Sequence, residues 1–68
     1  MKVKYFPDTD TLLVIFSDRQ IADTRDLSED VLLETDQDGR VVSLTIEHAG
    51  QQMNVNEFSY ELAPAAGR

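Results

Sequence analysis

Asp38-Gly39 lies between two segments of alternating apolar and polar residues, Val31 to Asp36 and Val41 to Glu47, and no other feature of the chain restricts its fold as much. Asp-Gly accepts the positive φ angles that a two-residue hairpin turn requires, and the flanking runs have the period of two expected of strands. With Asp38 and Gly39 as the central turn residues, Val31 opposes Ile46, Leu33 opposes Leu44 and Thr35 opposes Val42. The apolar members then share one face, as alternate residues of a strand must.

A second hairpin is predicted near the start. Val3 and Tyr5 alternate with Lys2 and Lys4, Pro7-Asp8-Thr9-Asp10 breaks the run, and Leu12, Val14 and Phe16 resume it. A four-residue loop sets Tyr5 against Leu12, Val3 against Val14 and Met1 against Phe16, with proline outside the ladder. On the reverse face Lys4 opposes Leu13 and Lys2 opposes Ile15, so this strand is apolar on both sides. Leu13 and Ile15 need cover, either from a second layer of the chain or from a partner, and they are the candidate partner surface.

A short third strand is expected over Ile21 to Arg25 and an acidic loop over Asp26 to Asp30, while Gly50 allows a change of direction after the central hairpin. Phe58, Tyr60 and Leu62 alternate with Ser59 and Glu61, which favours a final strand over a short helix capped at Asn56. Residues 64–68 read as a loose end to a single domain over 1–63. The fold class is all-β or β-dominated: about five short antiparallel strands, mostly a meander, with at most one helical turn. The expected core is Val3, Tyr5, Leu12, Val14, Phe16, Val31, Leu33, Val42, Leu44 and Ile46.

Sixty-eight residues sit near the lower limit for self-sufficient burial, and the usual staples are missing. There is no cysteine for a disulfide or thiolate zinc site, and His48 is the only histidine. Oligomerisation is the remaining common route to more burial, so a homodimer or a permanent protein partner is expected. Thirteen acidic against six basic residues give a net charge of −7, which repels phosphate backbones and anionic membranes and leaves basic proteins or cations as partners. No apolar run reaches the roughly 20 residues of a membrane span, and residues 1–8 hold no signal-peptide core, so a cytoplasmic location is expected.

Candidate chemistry is sparse. Glu34-x-Asp36-x-Asp38-Gly39 resembles the opening half of a calcium-binding loop, but Thr45 stands where the closing bidentate Glu belongs and the flanks are strands. Weak divalent-cation binding at this turn is the alternative function. Asp8 and Asp10 suit backbone hydrogen bonding within their loop better than acid–base work. His48 would have to serve any histidine-dependent step, with Ser43 and Thr45 on the same strand, but spacing alone pairs none of them. Gly39, Gly50 and Gly67 are isolated, so no phosphate-binding loop is present, and the scattered aromatics form no base-stacking platform. No catalytic residue, cofactor or metal ligand is assigned, and the reading is a non-catalytic protein-interaction module.

The segment Lys2 to Asp18, with Ile21-Ala22, Val31-Leu-Leu-Glu-x-Asp36 and Asp38-Gly-Arg-Val-Val42, resembles the bacterial domain-of-unknown-function family 2283 over roughly the first fifty residues. The chain departs from that family's pattern at Phe6, Leu13, Ile15, Arg19, Asp30 and Ser43. The resemblance implies a small fold of strands and turns and a basic, toxin-like protein as one class of partner. It carries no catalytic residue onto these positions.

Overall fold

The structure, a computed structural model, describes residues 1–65; the remainder of the loose end expected over 64–68 lies outside the described residues. Five strands form one antiparallel sheet: β1 (Lys2–Phe6), β2 (Thr11–Ile15), β3 (Asp23–Asp26), β4 (Val31–Thr35) and β5 (Val41–Glu47), followed by a single helical turn, α1 (Ala49–Gln52). Their spatial order is β1-β2-β5-β4-β3. Three of the four strand connections therefore join hydrogen-bonded neighbours, and the link from β2 to β3 crosses the end of the β4–β5 hairpin. No helix among the described residues is long and apolar enough to cross a membrane.

The first hairpin has the predicted register, with Val3 opposite Val14 and Tyr5 opposite Leu12, and Lys2 and Lys4 opposite Ile15 and Leu13. Met1 and Phe16 fall outside both strands, and Met1 is 75% exposed. In the central hairpin Val31 pairs with Ile46 and Leu33 with Leu44, as the apolar pattern requires. Its turn differs from the expectation. The Gly39 N–H donates to the Asp36 carbonyl and the Asp36 N–H to the Arg40 carbonyl, so the loop holds three residues, 37–39. Asp38 does not take a positive φ; Gly39 does, at 83°. Thr35 consequently pairs with Val41 rather than Val42, and a bulge at Val42 restores the register before Leu44.

The third strand starts at Asp23, two residues later than predicted, because Ala22 and the residues after it pair with the end of β4 while Ile21 stays exposed. No final strand forms over Phe58 to Leu62, and the one helical turn lies at Ala49–Gln52 rather than near Asn56. The expected core also needs correction. Of its ten members Val42 alone is buried, Phe16 is 40% exposed, and the others are half-buried. The eight that fall in register share one face as predicted, but a single sheet supplies no second layer to close over it.

Candidate functional site

The register assigns each strand residue to a face. Val3 and Tyr5 of β1, Leu12 and Val14 of β2, Leu44 and Ile46 of β5 and Val31 and Leu33 of β4 lie on one side. Their continuation on β3 is Arg25 and Asp23, whose charges cancel. Every one of the eight apolar side chains remains partly solvent-exposed. Among the described residues Met53, Val55 and Phe58 lie around Val3, Tyr5 and Leu12 at one end of this face. The strip over β2, β5 and β4 therefore forms a continuous apolar surface in the middle of the sheet.

Leu13 and Ile15, the surface singled out from the sequence, lie on the opposite face. Both are half-buried, with Lys4 and Lys2 beside them on β1 and Thr45 and Ser43 on β5. Leu32 shares their side, next to Thr45. Apolar residues on this face are thus interrupted by lysine, threonine, serine and the Glu34 carboxylate, which accepts a 2.6 Å hydrogen bond from Ser43 Oγ. The strand periodicity that exposes Leu13 and Ile15 was legible; the larger open surface behind them was not, because it was read as core.

The candidate cation ligands are occupied by protein groups. Asp36 is 6% exposed, and its Oδ2 lies 2.7 Å from Arg19 Nε and 3.1 Å from Arg40 Nε. Its Oδ1 accepts from the backbone N–H groups of Asp38 and Arg40, both at 2.9 Å. Burial opposes the carboxylate's charge, but those two N–H groups and the two guanidiniums outweigh it and hold the carboxyl below the usual range. Asp38 pairs with Arg40 Nη2 at 3.0 Å, and Glu34 points to Ser43. No group of three or more potential ligands converges among the described residues. Arg19 also donates to the Val41 carbonyl, so it ties the β2–β3 crossing to the hairpin beneath it. Its role was not visible in the sequence, where its partner lies seventeen positions away.

The other end of the sheet is organised by Asp10 and Asp30. Asp10, at φ 54°, accepts from the Tyr5 hydroxyl at 2.6 Å and from the Gly50 N–H at 2.8 Å, and its carbonyl receives the Ala49 N–H. The Tyr5 bond, then the Gly50 bond, lowers the Asp10 carboxyl; the same Asp10 contact raises the Tyr5 phenol. His48 Nδ1 lies 2.9 Å from Asp30 Oδ1, and this bond, with the charge behind it, raises the imidazole above its ordinary value. Ser43 and Thr45 are not among the hydrogen-bond partners of His48. These contacts fasten α1 to the β1–β2 turn, and the β3–β4 turn to the end of β5, where the Glu47 N–H donates to the Asp30 carbonyl.

The family model described as "Protein of unknown function (DUF2283)" matches residues 2–49, which contain all five strands. No curated protein and no solved structure matches the chain.

Proposed function

Since the chain belongs to the DUF2283 family, whose description assigns no activity, its surface has to carry the functional reading, and we propose that the protein is a non-catalytic cytoplasmic interaction module that joins a second copy through the apolar face of its sheet. The observation behind this reading is that face itself: eight apolar side chains on four adjacent strands, all partly in water. Contiguous apolar surface left open to water marks an interaction site in soluble proteins.

The whole chain, the exposed side chains after α1 included, presents more surface than a compact fold of its mass. The chain exposes 5444 Å². A compact monomer of its mass exposes about 4,300 Å², leaving an excess of about 1,100 Å². A stable complex of standard size covers roughly 800 Å² on each partner. Charge favours a second copy over a basic protein at this face, because the strand residues there carry only the balanced pair Asp23 and Arg25. The net charge of −7 resides outside the contact, where salt screens its repulsion over about 10 Å at 0.1 M. Two such sheets would pack face to face about 10 Å apart.

Sedimentation equilibrium at micromolar concentration tests the reading. The wild-type chain is expected as a dimer, Leu33→Lys as a monomer that keeps its strand circular dichroism, and Leu13→Lys on the reverse face as a dimer. A wild-type chain that sediments as a monomer throughout would remove the proposal. Dissociation by Leu13→Lys but not by Leu33→Lys would move the contact to the other face.

A further inference from the structure

We propose that residues Phe58 to Leu62 add to the free edge of β1 in a second copy as a sixth strand, an inference that rests on the self-association argued above. The sheet has two edge strands, β1 and β3. β3 reads Asp-Thr-Arg-Asp and is exposed throughout, and charges of this kind on an edge resist strand addition. β1 reads Lys-Val-Lys-Tyr-Phe, with Val3 and Tyr5 continuing the apolar face to its border.

The segment that would pair with it has the complementary pattern. Phe58, Tyr60 and Leu62 are 69%, 73% and 85% exposed, although they alternate as a half-buried strand should. Among the described residues the last backbone hydrogen bond of the chain runs from the Glu57 N–H to the Asn54 carbonyl, so 58–62 leaves its main-chain groups unpaired. Laid along β1 with matching parity, Phe58, Tyr60 and Leu62 extend the apolar face beside Val3 and Tyr5. Ser59 and Glu61 then fall on the side of Lys2 and Lys4. Those lysines discourage one β1 from pairing with another, and a glutamate in the added strand neutralises them.

The position of the segment points to the other copy. Phe58 and Tyr60 share a cavity with Met1 and Val3 of their own chain, yet residues 58–62 make no main-chain hydrogen bond to that β1.

The absence of cysteine makes cross-linking a clean test. The full chain is prepared as Lys4→Cys with Glu61→Cys, as Lys2→Cys with Glu61→Cys, and as Glu61→Cys alone, then oxidised and run on non-reducing gels beside sedimentation of the wild type. The expected result is a reducible covalent dimer from one of the double variants, formed at least tenfold faster than from Glu61→Cys alone. An intrachain disulfide, or no cross-link, in chains that still sediment as dimers overturns strand addition and leaves the face-to-face reading standing. A monomeric wild type overturns both.

Discussion

Gly39 holds the central turn at φ +83°, where an L side chain costs about 1–2 kcal/mol through its own backbone contacts. Nothing lies within 4 Å of the position a Cβ would take, so Gly39→Ala is predicted to lose that amount and no more. For a domain of this size each kcal/mol lowers the thermal midpoint by roughly 4–8 °C, readable by calorimetry. Asp38→Ala removes only an exposed contact to Arg40 and should move the midpoint far less. The same turn explains how a pairing can be foreseen with the wrong turn. A three-residue loop displaces the register by one residue, the bulge at Val42 displaces it back, and Leu33 meets Leu44 as a two-residue turn would have had it. Apolar periodicity records where the strands must end up, while the bulge leaves no mark in the pattern.

His48 gives a second residue-scale prediction. Its hydrogen bond to Asp30 and the charge of that carboxylate raise its pKa in the folded chain above 6.5. A raised folded-state value contributes stability that is fully present below about 6.5 and is lost as pH rises through the folded value. Proton NMR should therefore place the imidazole midpoint above 6.5, and Asp30→Asn should bring it down. A midpoint unchanged by Asp30→Asn would remove this contact from the account. Asp10 and Asp36 act in the opposite sense. Their lowered values contribute stability present above about 3.8 and lost as pH falls through the folded values, so acid loosens both ends of the sheet.

Among the elements, legibility followed the number of independent signals. β1, β2, β4 and β5 were readable because each hairpin offers two alternating runs that must agree about which residues oppose. β3 has no apolar residue to align; its limits are set by backbone pairing to β4, which shifts it from the predicted Ile21 to Arg25 onto Asp23–Asp26. Phe58 to Leu62 shows the converse, a strand pattern with no partner strand inside the chain. The turn α1 carries no periodicity at four residues and is stabilised from outside, by Asp10 forty positions earlier. A Cβ on Gly50 would stand 2.9 Å from Asp10 Oδ1. Gly50→Ala is accordingly predicted to push that carboxylate away from Tyr5, and the Tyr5 phenol should then titrate closer to 10.0. Retention of the raised value, followed by ring-proton NMR, would show that α1 adjusts without disturbing Asp10.

At the scale of the whole molecule, a sheet with one open apolar face gains further burial on association, so dimerisation should add to the stability of the folded chain. Stability then depends on concentration, because a partner that binds the folded chain and not the unfolded one stabilises by mass action. Unfolding enthalpy near 60 °C is about 0.7 kcal/mol per residue, or about 95 kcal/mol for two chains of this length. With that enthalpy a hundredfold dilution lowers the midpoint of a dimer unfolding to two free chains by about 10 °C. Leu33→Lys, which places a charge in the middle of the contact, should show a lower midpoint with no concentration dependence. Added salt should act the other way on the wild type, since each copy brings a charge of −7 to the pair and screening over about 10 Å at 0.1 M relieves the mutual repulsion. Calorimetric scans at 2 and 200 μM, with and without added salt, read these effects together. A wild-type midpoint independent of concentration would mean that the single sheet is stable with its apolar face in water, and the face would lose its claim to a second copy.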